Sequence, residues 1–133
     1  MARPARKTRH LRLVRTQDDQ QVHKAIEIMH GALAERWTVS TLAKRVGLSR
    51  PAFARRFVAA TGESPLRYLT RARMRRAAEL VEGTRDGLAH IGTQVGYDSE
   101  FAFNRAFKRF HHVAPGTFRR LASIGHSPFR MAA

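Results

Sequence analysis

The chain has 133 residues, with 25 Lys and Arg against 10 Asp and Glu, and a formal net charge of +15. This size allows one ordinary domain or two very small ones, and the charge favours a polyanionic partner. Cysteine is absent, which excludes disulfides, thiolate zinc ligands and thiol catalysis. With no apolar run near the ~20 residues that cross a membrane, and no secretory signal in the basic N-terminus, we expect a soluble cytoplasmic protein.

The N-terminal region divides into a basic arm and a first helix. Residues 1–17 carry six basic groups and no acid, and they are predicted to form a flexible arm. Residues 18–120 carry 18 basic groups against 10 acids, so a net charge of +8 remains outside the arm. Asp18 or Asp19 can cap a helix that reaches about Arg36. Its apolar stripe is predicted to comprise Val22, Ala25, Ile26, Met29, Leu33 and Trp37.

The next two helices are defined by their caps and turns. A short second helix is predicted from Thr38 or Ser40, and Gly47 ends it because glycine readily adopts positive φ. Its inward residues are predicted to be Val39, Leu42, Ala43 and Val46. Ser49 caps the third helix, which carries Pro51 in its first turn, where no backbone N–H is needed. That helix is predicted to bury Phe53, Phe57 and Ala60 and to end at Gly62.

The remaining chain also follows a helical pattern. A fourth helix is predicted over about 64–81, and at 1.5 Å per residue it is roughly 27 Å long. Its inward residues are predicted to be Leu66, Leu69, Met74, Ala77, Ala78 and Val81. The fifth and sixth helices are predicted over 88–95 and 99–110, and a short last helix starts at Pro115. No stretch alternates long enough to form a strand, so the fold class is all-α with about seven helices.

Two segments repeat one pattern, residues 42–68 and 91–118. Residues 46–49 align with 95–98 at an offset of 49, and the positions that follow align at an offset of 50, so the second turn contains one inserted residue. Each copy combines an apolar helix, a glycine turn and an arginine-bearing apolar helix, which is typical of a helix-turn-helix unit. Two such units on a basic chain favour double-stranded DNA as the partner.

This repeat gives the predicted domain organisation. Residues 18–120 form a DNA-binding domain with two helix-turn-helix subdomains joined by a long linker helix. The first subdomain covers about 18–63, the linker helix about 64–82 and the second subdomain about 83–120. Residues 121–133 are predicted to be a flexible tail.

The outward face of each second helix supplies the candidates for reading bases. A recognition helix buries one stripe and presents another to base edges in the major groove. The candidates are Pro51, Ala54 and Arg55 in the third helix, and Glu100, Phe101, Asn104 and Arg105 in the sixth. Arg55 and Arg105 occupy the same position in the two copies, and arginine bridges O6 and N7 of guanine. The Asn104 amide can pair with adenine, and the Glu100 carboxylate can accept from the amine of cytosine. For these two residues, a solvated surface position is an equally good interpretation.

Further basic residues are candidates for phosphate contacts, which position a protein without reading sequence. Those beside the two recognition helices are Arg50, Arg56, Lys108 and Arg109. Weaker candidates, of which one or two are expected to contact phosphate, are Arg73, Arg76, Arg119 and Arg120.

Signals for other chemistry are weak. His111 and His112 are adjacent, so on a helix they do not face one site, and the sequence predicts a turn there rather than a metal site. No glycine-rich phosphate loop occurs, and nothing places Ser, His and Asp in a triad. We therefore predict no metal, no cofactor and no catalytic residue.

Over about residues 22–120 the chain resembles the DNA-binding region of the AraC-type (arabinose-regulator-like) transcription factors. In the first unit the resemblance is carried by Leu42-Ala43, Val46-Gly47-Leu48-Ser49, Phe53, Arg55, Phe57, Gly62, Ser64-Pro65, Tyr68, Arg73-Met74 and Ala77. In the second unit it is carried by Val95-Gly96-Tyr97, Ser99, Phe103, Arg105, Phe107-Lys108, Pro115 and Arg119. The resemblance implies two helix-turn-helix subdomains whose recognition helices, here 49–61 and 99–110, enter neighbouring major-groove faces.

The chain departs from the family pattern at several positions. The family usually has Phe-Gly where this chain has His111-His112, so the turn must accept a residue other than glycine, with strain if φ is positive. Gly92 stands where alanine is usual, which predicts a weaker fifth helix by roughly 1 kcal/mol. Many members carry an N-terminal sensing domain, often cupin-like, so the chain is expected to be a stand-alone regulator or the DNA-binding part of a longer one.

The leading hypothesis is a bacterial, sequence-specific transcriptional regulator that binds DNA as a monomer, with RNA polymerase as a second candidate partner and no membrane association. The alternative is a non-specific nucleic-acid-binding protein of the nucleoid or RNA-binding kind. The net charge alone is consistent with that alternative, but a non-specific binder would not need an arginine at the same position of both units. An enzyme is disfavoured because the DNA-repair methyltransferases that resemble this family need reactive cysteines.

Overall fold

The computed structural model describes residues 19–125. The predicted arm over 1–17, Asp18 and residues 126–133 of the predicted tail lie outside the described residues. The described part contains seven helices and no strand, which confirms the all-α prediction. The helices are α1 (Gln20–Gly31), α2 (Val39–Arg45), α3 (Arg50–Thr61), α4 (Pro65–Gly83), α5 (Leu88–Gln94), α6 (Glu100–His111) and α7 (Pro115–Ser123).

The described residues form two compact units. The first comprises residues 19–32 and 37–69, and the second comprises residues 33–36 and 70–125. Helix α4 is uninterrupted from Pro65 to Gly83, and its first five residues belong to the first unit. The division therefore falls inside α4.

The core of the first unit forms where α1 packs on α2 and α3, and where α2 packs on α3. Its buried apolar residues are Val22, Ala25, Met29, Leu42, Ala43, Val46, Phe53, Phe57, Ala60 and Leu69. The rings of Phe53 and Phe57 lie 5.6 Å apart, and Tyr68 meets Phe57 edge-on at 5.5 Å. This confirms the apolar faces predicted for α2 and α3, with only Val39 left partly exposed.

The predicted length of the first helix was wrong. α1 ends at Gly31 rather than near Arg36, so Leu33 and Trp37 do not continue its apolar stripe. Gly31 is a poor helix former, and beyond it the Trp37 Nε1–H donates to the Ala32 carbonyl at 2.9 Å. That bond satisfies a carbonyl at the helix end and redirects the chain toward α2.

The two helix-turn-helix turns are built alike. Gly47 and Gly96 both have positive φ, 75° and 100°. The N–H of Leu48 donates to Ala43 O at 2.9 Å, and the N–H of Tyr97 donates to Gly92 O at 2.8 Å. These two bonds are related by the offset of 49 residues in the sequence repeat, and each closes the end of the preceding helix.

The caps of α3 and α6 also match. The hydroxyls of Ser49 and Ser99 accept from the N–H groups of Ala52 at 3.2 Å and Ala102 at 3.0 Å, respectively. Because the caps align at an offset of 50, the inserted residue lies just before Ser99 and is Asp98. Its carboxylate accepts from Arg36 at 2.8 Å in an exposed ion pair.

The core of the second unit is aromatic. Its buried residues are Met74, Ala77, Ala78, Val81, Ile91, Val95, Phe103, Phe107 and Phe118. The Phe107 ring contacts Phe103 at 5.7 Å, Phe118 at 5.3 Å and the His111 ring at 4.4 Å. The repeated phenylalanines are therefore inward anchors in both units, as their spacing predicts.

Two expectations for α4 and α7 differ from the structure. Leu66 was predicted to face inward but is 43% exposed. Pro65 and Leu69, one turn apart, occupy the buried side of α4 at that end, which leaves Leu66 on another face. Helix α7 continues to Ser123, three residues into the segment predicted as tail.

The glycine missing from the end of α6 has the predicted consequence. His112 adopts φ 70° and ψ 0°, and its N–H donates to Lys108 O at 2.8 Å. Gly62 caps α3 with nearly the same geometry, φ 85° and ψ 0°. The second unit thus holds a side-chain-bearing residue in the left-handed region, where a β-carbon is strained.

Candidate nucleic-acid interface

Helix α6 separates a buried face from a charged outer face. Phe103 and Phe107 are fully buried, whereas the opposite side is exposed. The exposed residues there are Glu100, Phe101, Arg105, Lys108 and Arg109. The spacing of three and four residues places these side chains on adjoining turns of one surface. Its side chains are of types that contact base edges in a major groove.

Helix α3 presents a smaller outer face. Pro51 and Arg55 are exposed and Ala54 is half-buried, which leaves Arg55 as the long polar group among the predicted base readers in this helix. Among residues 19–125 no acidic side chain pairs with Arg55 or Arg105. Both guanidinium groups are therefore available to an external acceptor.

Arg105 is supported by an aromatic ring. Its Cζ lies 5.6 Å from the centroid of Phe101, within the range of a cation–π contact. Phe101 is 69% exposed. A shallow open depression beside this pair is lined by Ala102, Arg105, Ala106 and Arg109. Arg55 has no such platform, because Pro51 holds the position in α3 that corresponds to Phe101.

Asn104 is placed differently from the expectation. It is half-buried, and its Oδ1 is buried without a hydrogen-bond partner among the described residues. Bidentate recognition of adenine needs both the oxygen and the nitrogen of the amide. In this orientation Asn104 can offer at most its N–H₂ group, and a bidentate contact requires the side chain to turn.

Arg56 is held inside the first unit. Its Nε and guanidinium nitrogen donate to the two oxygens of Asp19 at 2.9 and 2.7 Å. The hydrogen bond to Asp19 raises the pKa of Arg56. Asp19 also accepts from the N–H of Val22 and so caps α1. The predicted phosphate contact of Arg56 would have to compete with this ion pair.

Arg73 fastens a separate segment of the second unit. Its Nε donates to Leu33 O at 2.8 Å and another guanidinium nitrogen donates to Glu35 O at 2.7 Å. The same guanidinium covers Gly96, where an added β-carbon would lie 2.9 Å from Cζ. Desolvation lowers the pKa of Arg73, but an arginine stays charged. These contacts give Arg73 a structural role, and its predicted phosphate contact would have to compete with them.

Arg119 and Arg76 are also engaged within the second unit. Arg119 donates to the carbonyls of Val81 at 3.0 Å and Thr84 at 3.2 Å, which ties α7 to the end of α4. Arg76 pairs with Glu79 at 3.1 Å on the surface of α4. The predicted phosphate contact of Arg119 would have to compete with its two hydrogen bonds to these carbonyls. Arg76 remains exposed, but part of its charge is neutralised.

Four predicted phosphate contacts remain accessible. Arg50, Lys108, Arg109 and Arg120 are exposed, and within the described part of the chain none of them pairs with an acid. Arg50 is the first residue of α3, whereas Lys108 and Arg109 lie in the last turn of α6. Cations beside the recognition face are placed where phosphates flank a groove.

His111 is half-buried and packs against the core of the second unit. Its Nε2 donates to Met74 O at 2.9 Å, and its ring contacts the rings of both Phe107 and Phe118. Burial lowers the pKa of His111, against the opposing effect of that hydrogen bond. Over residues 19–125 no cluster of three or more His, Asp or Glu is placed to hold a metal.

The sequence could not reveal the roles of Arg73 and Arg119. Their acceptors are backbone carbonyls 35 to 40 residues away, and a carbonyl carries no residue-specific signal. One basic residue outside the predicted set also emerges. Arg45 is exposed at the end of α2, with its Cζ 5.5 Å from the centre of the Trp37 ring.

The fold and this geometry agree with known proteins. A family model described as "Helix-turn-helix domain" matches residues 42–121, which include both turns and both recognition helices. The chain belongs to the AraC-type helix-turn-helix family. A Streptomyces lividans protein described as an AraC-like transcription regulator is 41% identical over 102 residues, covering 77% of this chain and 34% of that protein. The chain spans about a third of the length of the curated relatives that it matches.

Two solved structures are similar in fold. The C-terminal domain of AraT, a response regulator from Geobacillus stearothermophilus, has a TM-score of 0.73 at 30% identity, covering 75% of this chain and 84% of that domain. The DNA-binding domain of AdpA, a global transcriptional factor, was solved in complex with a target DNA. It has a TM-score of 0.71 at 29% identity, covering 74% of this chain and 89% of that domain. No helix in the described part of the chain is long and apolar enough to span a bilayer.

Proposed function

We propose that this chain is the DNA-binding part of a bacterial transcriptional regulator that recognises a specific DNA sequence. The observation that carries the proposal is the exposed arginine at one position of two recognition helices, Arg55 in α3 and Arg105 in α6. Each lies opposite a buried phenylalanine stripe that holds its helix in place. A relative in this family has been solved on its target DNA, which supports the same role here.

Base reading is assigned to the outward residues of both helices. Arg55 and Arg105 each bridge O6 and N7 of a guanine, and Glu100 accepts from a cytosine amine. Arg50, Lys108, Arg109 and Arg120 bind phosphates and fix the register. The larger outer face of α6 contributes more base contacts than α3, where Pro51 and Ala54 are short. We propose no catalytic activity for the chain.

The proposed binding mode is one chain on one site. An ordinary helix-turn-helix protein dimerises to place two recognition helices one DNA turn apart, about 34 Å. This chain carries two different recognition helices, so we propose that they enter adjacent major grooves of a non-palindromic site about two turns long. We further propose that it acts in the bacterial cytoplasm, with RNA polymerase as a second partner. Analytical ultracentrifugation should give one chain per duplex, and two chains on a palindrome would contradict this mode.

The test of the function separates sequence reading from charge attraction. A selected duplex and a scrambled duplex of equal composition are titrated at fixed salt, and the wild-type chain should prefer the selected duplex by 10³-fold or more, as is typical of specific binders. With roughly six to ten phosphate contacts, affinity should fall about 10³–10⁵-fold between 50 and 200 mM salt. Equal affinity for both duplexes would favour the second candidate, a non-specific nucleic-acid binder, which the net charge alone supports.

A matched pair of variants tests the residue assignments. Arg105→Ala should weaken binding by about 1–3 kcal/mol and relax the preference at particular base pairs. Arg109→Ala, on the same helix, should weaken binding to all sequences alike and reduce the salt slope by about one. If both variants lose affinity uniformly, Arg105 does not read a base.

A further inference from the structure

The outer face of α6 carries an aromatic ring that the core does not use. Phe101 is 69% exposed, although an exposed phenylalanine forgoes the stabilisation that burial would give. Within the second unit, the nearby inward positions of α6 are filled by Phe103 and Phe107. The scaffold does not require the ring either, because the corresponding residue of α3 is Pro51. Phe101 is therefore a feature of the recognition surface of the second unit.

Phe101 lies directly beside the guanidinium of Arg105. The two residues are four apart on α6 and share one face, with Arg105 Cζ 5.6 Å from the ring centroid. Such a contact restrains the arginine side chain and so lowers the entropic cost of ordering it on binding. The small side chains of Ala102 and Ala106 leave the surface beside the pair open. A base edge can thus approach both the ring and the guanidinium.

The major groove offers one apolar group that such a ring can contact. Donors and acceptors cover most of each base edge, and the apolar group offered there is the C5-methyl of thymine. A cytosine methylated at C5 carries the same group at the same position of the ring. The guanidinium of Arg105, by contrast, suits O6 and N7 of guanine. The Phe101–Arg105 pair therefore matches a C5-methylated pyrimidine close to a guanine.

We propose that Phe101 is a specificity-determining residue that contacts the C5-methyl group of a thymine. The ring centroid lies 5.6 Å from the guanidinium, and base pairs are spaced about 3.4 Å apart along the axis. The thymine is therefore within two base pairs of the guanine bound by Arg105. This inference rests on the proposed function and adds to it the identity of one base.

The test removes a single methyl group from the DNA. A duplex is first selected from a random pool with the full chain, and each thymine is then replaced in turn by deoxyuridine, which lacks the methyl but keeps the base pair. At one position near the guanine the wild-type chain should bind about fourfold more weakly, the effect of one buried methyl group. At the same position, 5-methylcytosine should bind about fourfold more tightly than cytosine.

Variants assign the effect to the ring. Phe101→Ala should bind the thymine and deoxyuridine duplexes equally, because the methyl then has no apolar partner. Ile124→Ala, which removes another exposed apolar side chain of the same unit (63% exposed), should retain the fourfold ratio. Circular dichroism should show unchanged folding in both variants, since both side chains are on the surface.

The outcomes separate this inference from the proposed function. If the wild-type chain selects a sequence but tolerates deoxyuridine at every position, Phe101 does not read a methyl group. The inference also fails if Phe101→Ala keeps the wild-type ratio, because another residue then contacts the methyl. If the selection yields no preferred sequence, the proposed function itself is wrong and this inference falls with it.

Discussion

Replacing His112 by glycine should stabilise the second unit. His112 ends α6 at φ 70°, and the left-handed conformation costs a residue with a β-carbon about 1–2 kcal/mol. Glycine removes that cost but increases the freedom of the unfolded chain, which offsets about 0.4–1 kcal/mol. The expected net gain for His112→Gly is about 0.5–1 kcal/mol, which should raise the unfolding midpoint by about 2–6 °C. Thermal and urea unfolding followed by circular dichroism at a fixed pH measure this difference.

A second substitution at the same position isolates the backbone effect. His112→Ala also removes the imidazole but keeps a β-carbon at positive φ, so it should give no stabilisation. Gly62→Ala imposes the reverse change on the first unit, where φ is 85°, and should destabilise it by about 1 kcal/mol. If His112→Ala stabilises as much as His112→Gly, the gain comes from losing the side chain, and the argument from backbone strain is refuted.

Three further predictions concern other features of the second unit. Phe107→Ala should cost about 3–5 kcal/mol of unfolding free energy, whereas Lys108→Ala should change it by less than about 0.5 kcal/mol; equal effects would mean that the buried stripe is misplaced. Arg73→Ala should lower the unfolding free energy by about 1–3 kcal/mol, because it removes the donors to the carbonyls of Leu33 and Glu35. It should leave the salt slope of DNA binding unchanged. A reduced slope would show that Arg73 contacts phosphate. Burial lowers the pKa of His111, so the unfolded chain takes up its proton first as the pH falls. The stability that neutral His111 contributes is therefore present above about pH 6.5 and lost progressively below it. The urea midpoint should fall less between pH 7.5 and pH 5 in His111→Gln than in the wild-type chain, and parallel curves would contradict this assignment.

The elements that were predictable from sequence depend on a few neighbouring residues. A serine directly before the predicted third helix identified the cap at Ser49, and the two turn glycines follow from the need for positive φ. The phenylalanines four residues apart gave the buried face of each recognition helix. Since each signal is local and occurs twice, the repeat itself reinforced the interpretation.

What sequence could not predict depends on distant partners. The early end of α1 involves a hydrogen bond from Trp37, and Gly31 alone did not identify it. Arg73 and Arg119 look like any surface arginine until the carbonyls of remote segments are brought to them. Asn104 has the right residue type on the right helix, yet only the packed structure shows that its amide oxygen is buried.

The absence of a side chain at Gly92 lets α6 pack closely against α5. Alanine is usual there in the family, and its absence suggested only a weaker helix. In the structure an added β-carbon would lie 2.9 Å from Cβ of Phe103, a residue on the inner face of the recognition helix. Alanine at this position would therefore have to push α6 outward by a few tenths of an ångström. If α6 enters a groove as we propose, one methyl group on the supporting helix would change how deeply it enters, while every outward residue of α6 stays the same.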